Sequence, residues 1–150
     1  MGDSVVRNCV HIVFATSSRR PFLKSEDLRH RLWAYMAQTC RKKNCEVIEV
    51  GGWIDHAHLA IYLSQNVALS ALVREVKKSA TRFVHEQEGG VRRFSWQRGY
   101  AAFSVSRTHV PALKSYIANQ LDHHRGTDFT DEWKNVLGKN GVKDEYLRFE

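Results

Sequence analysis

The 150 residues are 43% hydrophobic and 26% charged with two prolines, a composition that excludes a disordered or fibrous chain and suits one domain, 1–150. No run of eighteen apolar residues occurs and Met1–Ser4 lacks the basic-then-apolar layout of a secretory leader, so neither a membrane partner nor export is expected and the compartment expected is the cytoplasm. Twenty-three Lys and Arg against sixteen Asp and Glu give a charge of +7, which favours an anionic partner, and three cysteines without a CxxC pair point to reduced thiols.

The first element is a short strand, Cys9–Phe14, rich in β-branched residues and closed by the basic loop Ser17-Ser18-Arg19-Arg20-Pro21. A helix follows, capped by Ser25, with Glu26 and Asp27 at its positive end and Arg41-Lys42-Lys43 at its negative end. Leu28, Leu32, Tyr35 and Met36 recur along it at helical spacing. Cys45–Val50 and Trp53–Leu63 read as adjacent strands, with Gly51-Gly52 as a bend or bulge between them. Asn66 is placed to cap a second helix in which Leu69, Leu72, Val73, Val76, Ala80, Phe83 and Val84 repeat, ended by Gly89-Gly90. Phe94–Ser106 is expected to hold one or two strands. From Thr108 a third helix, with Pro111 in its first turn, is expected to run to about Arg125. A fourth helical stretch, Thr130–Leu137, precedes a short Tyr146–Phe149 end. This order predicts an α+β sandwich, with helices packed on a mostly antiparallel sheet.

Within the third strand, Ile54-Asp55-His56-Ala57-His58-Leu59 places two imidazoles in an apolar run. Residues i and i+2 of a strand share a face, so His56 and His58 project together, about 7 Å apart at their roots, while Ala57, Leu59 and Ile61 face the core. The pair suits either local hydrogen bonding or convergence on one metal ion. Tyr116 and Gln120 stand at i and i+4 on one helix face. A phenol, an amide oxygen and two imidazoles together supply what metal-assisted phosphodiester cleavage requires, because a free phenol with a pKa of about 10 attacks poorly on its own.

The ordered motifs Asp55-His56-Ala57-His58-Leu59, Trp96–Ser106 and Tyr116-Ile117-Ala118-Asn119-Gln120-Leu121-Asp122-His123-His124 resemble the small single-tyrosine transposases of bacterial insertion sequences, the TnpA type, and the related REP-associated tyrosine transposases of the HUH superfamily. The resemblance runs from about His11 to Phe149. It implies a ferredoxin-like HUH endonuclease sandwich, with His56, His58 and Gln120 as ligands of Mg²⁺ or Mn²⁺ and Tyr116 as nucleophile. It further implies cleavage of single-stranded DNA near hairpin ends through a 5′-phosphotyrosine link, and a homodimer. Two departures stand out: Ala57 occupies a position usually held by a bulky hydrophobe, and no glycine hinge lies between Tyr100 and Gly126.

Candidate DNA contacts are Arg74, Lys78 and Arg82 along the second helix, with Lys77 beside them, although a solvated face has the same pattern. Arg92, Arg93 and Arg98 interleave with Phe94, Trp96 and Tyr100, a mixture suited to stacked single-stranded bases or, for the rings, to the core. Arg19 and Arg20 form a third group, and His123 and His124 suit helix-end capping, proton transfer or DNA contact. Two rival readings are a non-cutting nucleic-acid-binding module and a zinc hydrolase using His56, His58 and Cys40 or Cys45. The second lacks an HExxH-like motif or, in the sequence around the histidines, a glutamate placed as base.

Overall fold

The computed structural model describes residues 2–87, 91–120 and 128–142. Strands β1 (Cys9–Ala15), β2 (Glu46–Trp53), β3 (His56–Tyr62) and β4 (Ala101–Ser104) form one antiparallel sheet in the order β2-β3-β1-β4. Helices α1 (Glu26–Lys42) and α2 (Leu69–Glu86) cover one face; α3 (Val110–Ala118) and α4 (Phe129–Lys139) belong to the other. The architecture is therefore the α+β sandwich expected, and its two faces follow from strand alternation. Val10, Ile12 and Phe14 of β1 and Ala57, Leu59 and Ile61 of β3 join Leu32 and Met36 of α1 and Leu72, Val76 and Ala80 of α2 in the main core. Val13 and Ala15 point the opposite way, onto Trp133 and Leu137 of α4. Each fully buried Leu or Ile removes enough apolar surface to favour folding by about 1.5–3 kcal/mol. Together these residues fix β1 and β3 as the rigid centre.

Ser25 caps α1, its Oγ accepting from the Leu28 N–H at 3.2 Å. The second helix is capped differently from expectation. It begins at Leu69 after Ala68, because Ser64 captures the preceding turn: its carbonyl accepts from the Val67 N–H and its hydroxyl from that of Asn66. In Phe94–Ser106 only Ala101–Ser104 is a strand, apart from an isolated bridge between Thr16 and Trp96. Phe94 and Trp96 instead build an aromatic cluster with Phe14 and Phe22, with ring centroids 4.7–5.8 Å apart. The third helix ends at Ala118, with Asn119 as its C-cap; its expected continuation to Arg125 falls largely outside the described residues, as do Gly89-Gly90 and Tyr146–Phe149.

Gly51 and Gly52 do not separate two strands. β2 runs through them, a register shift lies between Val47 and Glu49, and the reversal into β3 occurs at Ile54 and Asp55. What needs glycine is proximity. A Cβ on Gly51 would stand 2.7 Å from the Ile117 carbonyl oxygen of α3, and one on Gly52, at a φ of +155°, would stand 2.2 Å from the His56 carbonyl oxygen. The bare backbone thus lets α3 settle directly onto β2 beside the two histidines.

Gly52→Ala is expected to lower the unfolding free energy by about 2 kcal/mol or more, the cost of a strained backbone position together with a displaced strand. Urea denaturation measures it; stability equal to that of the unaltered chain would mean that the β2–β3 spacing does not depend on bare backbone at this position.

Candidate metal centre and nucleophile

His56 and His58 are both buried, with ring centroids 5.0 Å apart and planes at 81°. Each ring is held by its Nδ1. Asp55 Oδ1 lies 2.8 Å from His56 Nδ1, and His11 Nε2 lies 2.9 Å from His58 Nδ1. His11 reaches that position because β1 pairs it with Ala60, making it the diagonal neighbour of His58, and the two rings stack at 5.2 Å. Fixing both Nδ1 atoms directs both Nε2 atoms toward a common centre, the arrangement by which ligand histidines are usually oriented.

Two further side chains meet there. Gln120, just beyond α3, places Oε1 3.1 Å from His56 Nε2 while its Nε2 donates to the Tyr116 carbonyl at 3.3 Å. Glu132 comes from α4. Asp128 caps that helix by accepting from the Asp131 N–H, and Trp133 and Leu137 seat it on Val13 and Ala15. The adjacent Glu132 is thereby turned inward and is only 1% exposed. Its carboxylate stands 3.3 Å from His56 Nε2 and 3.0 Å from His58 Nε2. Tyr116 lies edge-on to His58, at a centroid distance of 5.6 Å, and its hydroxyl donates to Glu132 Oε1.

The electrostatics follow from burial. Desolvation alone would lower the His56 pKa, but the hydrogen bonds and charges of Asp55 and Glu132 outweigh it and hold His56 up at about 9. His11 is pushed down to about 3, chiefly by burial and then by His58, which together outweigh the Glu132 charge. Tyr116 is raised above the ordinary phenol value, first by burial and then by the Glu132 charge. A phenol so placed keeps its proton in the absence of a compensating cation. The ligand atoms of His56, His58 and Glu132 lie within 4.8 Å of one another, and this buried group can hold a metal ion. Two imidazole nitrogens with carboxylate and amide oxygens form a donor set suited to divalent cations.

The fold therefore brings His56, His58, Tyr116 and Gln120 together. Glu132, His11 and Asp55 complete the group and were not anticipated. For Glu132 a signal was present: in the fourth helix it falls on the stripe of Trp133, Val136 and Leu137, where a carboxylate is out of place. The zinc-hydrolase reading fails on its ligands. Cys40 and Cys45 are buried in the main core, on the face of the sheet away from the histidines, and burial pushes the Cys40 thiol up to about 12.

The basic residues are dispersed. Arg74, Lys78 and Arg82 are exposed on α2, as are Arg92, Arg93 and Arg98 on the following segment. Lys77 is engaged within the protein: its Nζ donates to the carbonyls of Gln97 and Gly99 at 2.6 and 2.8 Å, and burial lowers its pKa. Arg19 donates to the Thr130 hydroxyl of α4, Arg20 is exposed, and His123 and His124 lie outside the described residues.

A family profile described as "Transposase IS200 like" matches residues 4–120. The transposases for insertion sequence element IS200 of Salmonella typhimurium and Salmonella typhi are each 27% identical over 124 residues, covering 79% of this chain and 80% of theirs. A crystal structure from Deinococcus radiodurans R1, described as a transposase, superposes with a TM-score of 0.59 at 19% identity, covering 80% of this chain and 96% of its own. A REP-associated tyrosine transposase bound to a REP hairpin gives a TM-score of 0.60 at 16% identity, with coverage of 83% and 74%. No described helix is long and apolar enough to cross a membrane.

Because the folded-state pKa of His56 is raised from 6.5 to about 9, its stabilising contribution is fully present below pH 6.5 and lost as the pH rises through 9. Chelator-treated protein is expected to lose on the order of 3 kcal/mol of unfolding free energy across this window, and Glu132→Gln to lose less. Denaturation at stepped pH measures both slopes; equal slopes would remove Glu132 as a cause.

Proposed function

The chain belongs to the family of IS200-like transposases, and on that premise we propose that it cleaves and rejoins single-stranded DNA, with Tyr116 as nucleophile and a divalent ion held by His56, His58, Gln120 and Glu132. The observation that carries this reading is a shared atom. Glu132 Oε1 accepts from the Tyr116 hydroxyl and also lies 3.0 Å from His58 Nε2, so the nucleophile adjoins the ligand set within one chain.

In this mechanism Tyr116 Oη attacks the scissile phosphorus, its proton passing toward Glu132 Oε1. The P–O3′ bond breaks, the leaving O3′ taking a proton from solvent so that one strand departs with a free 3′-hydroxyl, and the other stays joined through its 5′-phosphate to Tyr116. A 3′-hydroxyl then gives its proton to solvent as it attacks the phosphotyrosine, re-forming a P–O3′ bond, and the displaced phenolate takes back the proton held at Glu132. Bound Mg²⁺ or Mn²⁺ would polarise the phosphate and stabilise the charge developing on it. Asp55 and His11 keep the two imidazoles oriented throughout.

The relative of known structure that holds a REP hairpin supports a hairpin-bearing DNA substrate. Arg74, Lys78 and Arg82 lie on α2, across the sheet from the metal centre, and so suit a duplex stem rather than the cleaved strand. Arg92, Arg93 and Arg98, exposed on the segment after α2, are further candidates, as are Arg19 and Arg20 nearer α4. Tyr116 reaches the ligands of its own chain, so a homodimer would join two complete sites.

Incubation with labelled single-stranded DNA from the gene's flanking hairpins and Mn²⁺ is expected to yield a denaturation-resistant protein–DNA adduct. Tyr116→Phe should reduce it by about 10³-fold or more, with DNA binding retained. Binding without an adduct across several flanking sequences would favour a non-cutting module, and an adduct surviving Tyr116→Phe would place the nucleophile elsewhere.

A further inference from the structure

The catalytic cluster is reached from two sides. A small cavity of about 270 Å³ touches Gln120 together with Arg29 and Trp53. A cleft of about 740 Å³, between the β4–α3 segment and α4, has His11, Tyr116 and Glu132 at its inner end. Tyr116 lines the cleft and not the small cavity, whereas Gln120 does the reverse. Resting on the cleavage chemistry proposed above, this asymmetry bears on where each half of the cut strand lies.

In an in-line displacement the attacking and leaving oxygens sit on opposite sides of the phosphorus. The leaving O3′ therefore departs away from Tyr116. The other nucleotide keeps its phosphate and becomes tethered to Tyr116 Oη through it, so its sugar and base must occupy space beside the tyrosine. The cleft is that space, and its volume falls within the range of about 300–1,000 Å³ common for pockets that enclose a small ligand. Its walls match a nucleoside. Leu113 from α3 and Val136 from α4 contribute apolar surface on which a base can lie, and Asn135 adds an amide able both to donate and to accept. Lys139 on the same helix supplies a cation for the next phosphate of the strand.

We propose that the cleft between α3 and α4 is the subsite for the nucleotide whose 5′-phosphate becomes joined to Tyr116, binding it as a deoxynucleoside 5′-phosphate through its base and sugar. α4 would then serve twice, delivering Glu132 to the metal centre and walling the pocket for the retained strand. Selectivity at the first position after the cut would lie in residues such as Asn135, apart from the basic surface suited to a hairpin stem.

Single-turnover adduct formation on a strand with an abasic site at the first nucleotide 3′ of the cleaved bond tests this. The lesion should slow the reaction by about 10-fold or more, since a stacked base contributes that much in single-strand sites. Val136→Trp and Leu113→Trp fill the cleft from opposite walls, so one serves if the other does not fold. Each should slow the intact strand comparably and leave the abasic strand little slower still, because lesion and filling remove the same contact. Adduct formation indifferent to the lesion, or effects that simply multiply, would overturn the subsite while leaving the cleavage reading intact. No adduct on any strand would overturn both.

Discussion

A carboxylate removed from water must meet positive charge or hydrogen-bond donors, since an ionised group left alone in the interior costs several kcal/mol. Glu132 meets that demand through His56, His58 and Tyr116. The contact joins α4, α3 and β3, three elements far apart in sequence, and aligns the tyrosine with the atoms able to hold an ion. It also couples their chemistry. The same negative charge that helps raise His56 adds to burial in raising Tyr116, so the phenol keeps its proton in the metal-free protein. A divalent cation at the same carboxylate would offset that charge and favour the phenolate, which ties activation of the tyrosine to occupancy of the metal centre.

The remainder of the fold gives this contact its geometry. β1 and β3 are buried on both faces, and their pairing sets His11 diagonally against His58. Gly51 and Gly52 remove the side chains that would hold α3 away from β2, which brings Gln120 within reach of His56. Trp133 and Leu137 lock the rotation of α4 by packing on Val13 and Ala15. The backbone of Ala57 is part of the same close approach, since a Cβ on Gly52 would stand 3.0 Å from the Ala57 Cα. The basic residues of α2 occupy the opposite layer, so the sheet separates them from the histidine–glutamate cluster.

Much of this was legible in the residues. Period-two alternation assigned the histidines to one face of β3, the four-residue spacing brought Gln120 beside Tyr116 although α3 ends at Ala118 before it, and the apolar stripes of α1 and α2 marked the main core. What escaped were contacts between distant segments. Glu132 sits in a first turn, where acidic residues are common, and its place on the apolar stripe of Trp133 and Leu137 is a local signal that does not tell which distant histidines it meets. His11 is hidden in an apolar strand, because diagonal neighbours are set by register, which the sequence of one strand does not carry. The glycines misled for a related reason: their demand is set by Ile117 and His56, not by the local turn. Asn66 lost its capping role to a turn centred on Ser64, and Lys77 left the basic stripe to bind carbonyls of the Gln97–Gly99 segment.

The two imidazoles and the carboxylate of α4 are proposed to hold one divalent ion beside Tyr116. Pulsed electron paramagnetic resonance on Mn²⁺-loaded protein tests it directly, because a nitrogen bound to the ion imprints its nuclear coupling on the spectrum. One ion per chain is expected, with couplings from two imidazoles, one coupling lost in His58→Ala, and weaker binding in Glu132→Gln with both couplings kept. Mn²⁺ bound without nitrogen coupling, or bound equally well by the Glu132→Gln protein, would contradict it.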